Sequence, residues 1–434
     1  MGHDVGHVKS PEDAEGRKVR DPFFDNARFL AVVLVVVGHT VTLYPPNGAT
    51  HPLVLLLQTF RMPLLIIISG HLARNFNFTD DKVRRLVTSL ALPYLIFETI
   101  YSVYAWLTGT APFTMQFLLP TYLMWFLMSV IIWRLTVPFW RNVRWPVAIA
   151  VALTVVSYTH EMPHELTLRR LFALLPFFVL GVSLRREQLT MLKRPKMRVA
   201  GVLVLAAAIA FYYTGGRYVP EYWTYWDRGY QWLGVQFFPG VFVHLGVLLL
   251  AAVLAAAVLT LVPSRRTWFT VFGTRTMYAY LLHGLGVMTL VYIGVHRTAF
   301  VQTVLGVLVS AAAAAVVATL LCTSPVVRVT RCLIEPRADW LFRFTSTSSS
   351  SRSPASASSA WPAEQSGEAR PRPEETAQEL VGTRAAGTAR ASGGTAGSRP
   401  PSGRDASHPT ATSASTSRKY SPVTRSARHG GGAV

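Results

Sequence analysis

Apolar residues run along this chain in long blocks separated by short polar connections. Between Ala27 and Val329 the blocks recur at 27–43, 52–72, 86–107, 117–140, 146–158, 168–184, 199–214, 235–262, 269–295 and 300–329. A helix needs about 20 mostly apolar residues to cross the hydrocarbon core of a bilayer, so each block predicts a spanning helix. The fifth, sixth and seventh fall short of that length. The fold class this predicts is all-α, a polytopic membrane bundle of about ten transmembrane helices.

The pattern stops at both ends. Residues 1–22 are polar and charged, with no apolar core or cleavage site, so the first helix is expected to serve as the insertion signal. From 345 to 434 the chain is mostly Ser, Thr, Ala, Gly, Pro and Arg. Such a stretch buries too little apolar surface to offset its ordering entropy, which predicts a disordered tail. Three regions follow: a cytoplasmic segment at 1–22, a membrane domain at 23–335 and a cytoplasmic tail at 345–434.

Composition excludes an ordinary soluble protein, because 51% of the 434 residues are hydrophobic and mean hydropathy is +0.32. A net charge of +20 would fit a nucleic-acid partner. Its distribution does not, since lysines and arginines collect in alternate connections and the span ends beside them, twenty-five on one side against five on the other. That asymmetry is the signature of membrane orientation and puts both termini in the cytoplasm, with the lipid bilayer as partner and no nucleic acid. Cys322 and Cys332 fit neither a disulfide framework nor a metal site.

Chemistry enters with Arg28 and His39 in the first block. Eleven helical steps bring His39 back to within roughly 20° of Arg28 and about 16 Å along the axis, so both lie on one helix face. Ionisable groups inside a span are functional candidates, although a histidine can also serve as polar glue between helices. Glu98, deep in the third block, is a carboxylate that can orient His39 or His283, pair with an arginine, or sit neutral and hydrogen-bonded. Ser69 beside Gly70 reads as close helix packing, because no nucleophile-elbow pattern surrounds it. His160-Glu161-Met162-Pro163-His164 matches the spacing of a zinc-protease helix, but Pro163 breaks the helix that such a site requires, so no metal is expected.

Several motifs occur in a fixed order. Arg28 to His39 is followed by Phe60-Arg61-Met62-Pro63-Leu64 leading to Ser69-Gly70, and then by Lys82-Val83-Arg84-Arg85 before Leu92-Pro93-Tyr94. Tyr122 to Leu127 with Trp125, Leu175-Pro176-Phe177-Phe178 to Gly181, and Tyr280-Leu281-Leu282-His283-Gly284 complete the series. Over roughly residues 20–335 the chain resembles the membrane acyltransferase-3 family, and the last three motifs resemble its fucose 4-O-acetylase-like branch. Lys82 stands where the family's basic motif has its first arginine.

The resemblance implies an O-acyltransferase of the plasma membrane, moving an acyl group, in the first instance acetyl, from cytoplasmic acyl-CoA to a hydroxyl of a carbohydrate or glycoconjugate. Acyl-CoA is then a co-substrate, and no permanently bound cofactor is implied. His39 suits the base that removes the hydroxyl proton, with Glu98 and His283 as further catalytic candidates and Arg28 as a donor-binding or orienting group. Lys82, Arg84 and Arg85 sit where cations can hold the CoA phosphates, or simply where positive-inside anchoring puts them. In the loop from Gly215 to Gly234, Trp223 and Trp226 with Glu221 and Asp227 suit a sugar, aromatic faces stacking on the ring and carboxylates accepting from its hydroxyls. An interfacial aromatic belt is the competing explanation. His244 reads as a packing residue. A transporter or flippase of an acylated or lipid-linked saccharide is the rival class, although no paired internal repeat is evident.

The charge asymmetry makes a topological prediction. Reporter fusions after Lys196 and near Arg370 should read cytoplasm, and one near Tyr222 should read outside. A cytoplasmic signal at Tyr222 would mean that a span has been miscounted.

Overall fold

A spanning segment must satisfy its own backbone, and the helices of this chain do so in a definite order. The computed structural model describes residues 21–44, 49–163, 165–215, 220–337 and 341–342, and all described regular structure is helical. Residues 1–20 and the predicted tail lie outside the described residues.

Asp21 starts α1 (Pro22–Val41) by accepting from the Phe23 amide at 3.0 Å, with Pro22 in the first turn, where its missing N–H costs nothing. α2 (His51–Ala73) follows. α3 (Asp80–Leu86) runs through a π turn, Val87–Ala91, into α4 (Leu92–Leu107) as one rod. Then come α5 (Met124–Asn142), α6 (Pro146–Ser157), α7 (Leu168–Ala173), α8 (Leu175–Ser183) and α9 (Arg186–Leu192). The chain continues through α10 (Pro195–Thr214), α11 (Phe237–Leu261), α12 (Thr276–Tyr292), α13 (Val304–Leu321) and α14 (Ser324–Ile334).

A helix stands at each predicted block, but among the described residues six are long and apolar enough to cross a bilayer alone: α1, α2, the α3–α4 rod, α10, α11 and α13. The remainder depart from the expectation for visible reasons. α5 begins at Met124 rather than at 117, because Pro120 and the left-handed Tyr122 (φ 50°) keep the preceding segment irregular. α5 also carries Arg134 and Arg141. α6 has 12 residues and α12 has 17. The last block divides at Thr323, and α14 carries Arg328 and Arg331 on a separate helix.

The sixth block is two helices, α7 and α8, bent by 60°. Pro176 cannot donate to the carbonyl four residues earlier. That carbonyl, on Phe172, accepts instead from Thr154 Oγ1 at 2.7 Å, and Trp133 Nε1 donates to the neighbouring Leu171 carbonyl at 3.1 Å. The break is therefore hydrogen-bonded from both sides.

α2 is the most enclosed span, 78% of its apolar window being buried, against 17–33% for α10, α11 and α13. Those three turn Leu203, Phe242 and Leu305 outward. Where α2 meets α8, Gly70 and Gly181 bring backbone onto backbone: an added Cβ would lie 2.2 Å from the Phe178 oxygen or 2.1 Å from the Ile67 oxygen. Ser69 Oγ is bonded to its own helix at the Leu65 carbonyl, 2.8 Å away, as a packing residue would be.

Asn26, fully buried near the start of α1, clasps the segment between α11 and α12. Its Nδ2 donates to the Pro263 and Arg265 carbonyls at 2.9 and 3.0 Å. Its Oδ1 accepts from Thr267 and Thr270 hydroxyls at 3.2 and 2.7 Å. Asn26→Leu removes all four bonds. The Thr267 and Thr270 hydroxyls keep each other, but the carbonyls lose their buried donor, and a polar group left unpaired in burial costs about 1–3 kcal/mol. The purified variant should melt well below wild type in detergent, and an unchanged midpoint would refute this clasp.

Candidate active site

His39 lies in the last turn of α1 and His283 in the middle of α12, whose neighbour Gly284 lets Tyr101 of α4 pack against it. The two imidazoles stack at 5.4 Å with His39 Nδ1 3.2 Å from His283 Nε2. His283 Nδ1 is 2.9 Å from the Ala279 carbonyl, which can only accept. In the neutral ring Nδ1 therefore carries the proton, and Nε2 presents a lone pair. His39 Nδ1 must then donate to it. This leaves the His39 Nε2 lone pair available, and among the described residues nothing hydrogen-bonds that atom. Thus α12 sets the tautomer that a base on α1 needs.

Tyr122 stands 6.0 Å from the His39 ring and 6.3 Å from Tyr101. Its left-handed backbone is costly for a non-glycine residue, and such strain collects at functional sites. Glu98 supports it from behind. Both carboxylate oxygens accept from the Thr121 amide, at 2.9 and 3.0 Å, and one accepts from its hydroxyl at 2.6 Å. Glu98 thus contacts neither histidine and pairs with no arginine among the described residues. The expected orienting carboxylate is a clamp on the loop that carries Tyr122, because its helix face points at the turn before α5.

Arg61, in the middle of α2, is the residue that sequence reasoning passed over. It is 8% exposed, and its Nη1 is buried without a hydrogen-bond partner. The guanidinium lies against Gly38, where a Cβ would come within 1.9 Å of Nη1. His39, His283, Tyr122 and Tyr225 are all within electrostatic reach. A charge in the middle of an apolar block was the available signal. Sorting cations by loop never weighed it.

The segment before α11 covers this side of the bundle. Thr224 Oγ1 donates to Gln58 of α2 at 3.1 Å, one turn from Arg61. Burial, reinforced by the Glu221 carboxylate, pushes the Tyr225 phenol up. Asp227 binds Arg170 at 2.9 Å, and that guanidinium also lies 5.2 Å from the Trp125 ring. Trp223 and Trp226 are 6% and 3% exposed, Trp226 packing edge-on against Phe177. Neither presents a face to a sugar, which corrects the expectation. Trp226 also has a left-handed backbone (φ 60°). The outward aromatics are Tyr222 and Trp232, 4.9 Å apart, with Arg228 stacked 4.4 Å over Trp232.

The remaining candidates stand apart from the histidines. Arg28 lies within electrostatic reach of Arg134 on α5, whose buried Nε has no partner. Lys82 Nζ donates to the Asn75 carbonyl at 2.6 Å, Arg84 lies over the Phe342 ring at 5.3 Å, and Arg85 is exposed. From Arg85 to Tyr101 beside the site is about 24 Å of helix. His244 is buried against Tyr158 and bonded to the Tyr230 hydroxyl at 3.1 Å, as a packing residue. In the zinc-like motif residues 161–163 are not helical, Glu161 is paired with Arg169 at 3.2 Å, and His164 lies outside the described residues.

No curated protein and no solved structure matches this chain significantly. The sequence profile of the acyltransferase-3 family, described as an acyltransferase domain, matches residues 21–323. That match contains His39, Arg61, Tyr122 and His283 together with every helix that positions them, and the chain belongs to the acyltransferase-3 family.

Proposed function

We propose that this protein is a membrane O-acyltransferase that moves an acyl group, acetyl in the first instance, from acyl-CoA to a hydroxyl of a carbohydrate or glycoconjugate. The observation that carries the reading is the uncommitted Nε2 of His39, held in its tautomer by His283. A hydroxyl is a poor nucleophile at neutral pH. As its oxygen attacks the thioester carbonyl, its proton passes to His39 Nε2. His39 Nδ1–H keeps its bond to His283 throughout, so the ring does not turn. On collapse the carbon–sulfur bond breaks, and the proton on Nε2 is available to the departing thiolate.

The placement of charge supports a donor that lies along α1. Arg28 and Arg134 are cations suited to phosphate, and Arg28 is about 16 Å along the helix from His39. Lys82, Arg84 and Arg85 extend the basic surface further. With both termini in the cytoplasm of the plasma membrane, these cations face the compartment that holds acyl-CoA, and the Tyr222–Trp232 surface faces the acceptor. The broken α7–α8 pair is a feature that a transporter would share. Consumption of labelled acetyl-CoA by membranes bearing the chain separates transfer from transport.

His39→Ala should cut transfer by about 10²–10⁴-fold while the protein inserts and accumulates normally, and near-normal turnover would remove His39 from the role of base. The tautomer argument is tested at His283. His283→Gln keeps an acceptor for His39 Nδ1 and should retain more turnover than His283→Leu, while equal rates would dismiss the pairing. Lys82→Ala with Arg85→Ala should raise the donor KM and recover at high acyl-CoA, since phosphate contacts persist from ground state to transition state. A loss confined to kcat would take these cations out of donor binding.

A further inference from the structure

A cation buried in a span is costly, and most such groups here are already engaged. Arg169 holds the Ser157 and His160 carbonyls and Glu161. Arg170, the other guanidinium within reach of His39, is bound to Asp227. Arg61 differs. Among the described residues no carboxylate pairs with it, and one of its terminal nitrogens is shut away from any partner. The chain also gives up the side chain at position 38, one residue before the proposed base, so that this guanidinium can lie against the last turn of α1. A packing role requires neither the charge nor the open Nη1.

We propose that Arg61 is a catalytic residue, donating from its guanidinium to the oxyanion formed when a hydroxyl attacks the thioester beside His39. The assignment rests on the acyl-transfer reading. When the new carbon–oxygen bond forms, the carbonyl π pair moves onto its oxygen and the hydroxyl proton moves to His39 Nε2. A full negative charge then appears where the ground-state thioester has only a dipole. A buried, fixed cation meets a charge that exists only at that stage, so it lowers the barrier rather than merely strengthening donor binding. When the carbonyl re-forms, the sulfur leaves as thiolate, takes the proton from His39, and Arg61 is again without an anion. Tyr122 and Tyr225, both within electrostatic reach of the guanidinium, are phenols and do not neutralise it. Gln58, one turn away on α2, ties the covering segment to the same helix through Thr224.

The test uses washed membranes bearing the full chain, with acetyl-CoA as donor, the membranes' own glycans and water as acceptors, and release of the CoA thiol as the signal. Arg61→Met should lower the rate at saturating acetyl-CoA by about 10²–10³-fold with the donor KM within a few-fold of wild type. Arg61→Lys should restore part of the rate. Gly38→Ala keeps the charge but forces the Arg61 side chain, from Cδ to Nη1, off the last turn of α1, and should also lose at least tenfold; it decides the matter if Arg61→Met does not accumulate. The proposal is overturned if Gly38→Ala and an accumulating Arg61→Met stay within threefold of wild type. It is equally overturned if their loss lies in donor KM and disappears at high acetyl-CoA, which would make Arg61 a donor-binding group. If wild type and His39→Ala release CoA at the same rate, the acyl-transfer reading itself falls, and the Arg61 assignment with it.

Discussion

Hydrocarbon offers no hydrogen bonds, so every backbone group at membrane depth must find its partner within the protein. Long helices meet that demand automatically, and α1, α2, α10, α11 and α13 are built of little else. The informative places are those where a helix is interrupted and side chains complete the bonding. Thr154 and Trp133 do so at the α7–α8 break, Glu98 at the turn before α5, and Asn26 between α11 and α12. Each interruption costs a set of backbone bonds, and each is repaired by a residue far away in sequence.

Two of these repairs bear directly on the chemistry. By clamping Thr121, Glu98 fixes the strained Tyr122 against the His39 ring. The α7 half of the broken span carries Arg169 and Arg170, which hold the connections before α7 and before α11 in place through Glu161 and Asp227. The histidine pair itself sits on regular helix, where its geometry is firmest. Rigid elements thus carry the groups proposed to move the proton, and irregular backbone carries the residues that surround them.

Much of this was legible in the blocks of apolar residues and in the spacing of Arg28, His39 and His283. Periodicity locates a helix, and a titratable residue in a span announces itself. Partner choice was not legible. Glu98 could have faced a histidine or a loop, and only the crossing of α4 over the start of α5 decides for Thr121. Trp223 and Trp226 have the composition of a sugar platform, yet both are buried, and Tyr222 and Trp232 of the same segment are the exposed ones. Arg61 was overlooked for a different reason. Its charge stands out in an apolar block, but the backbone gap at Gly38 that receives it belongs to another helix.

The glycine crossing of α2 and α8 has a mechanical consequence. Gly70 lies nine residues from Arg61 on the same helix, about 13 Å along its axis. With backbone on backbone and no side chain to yield, the crossing acts as a fulcrum. Forcing the helices apart there tilts α2 as a lever and swings the guanidinium away from α1. Misplacement of a catalytic group by about 1 Å can cost 10²-fold in rate. The tolerance of the site is therefore set in part by a contact that touches neither substrate nor catalytic group, between two residues whose only contribution is to occupy no space.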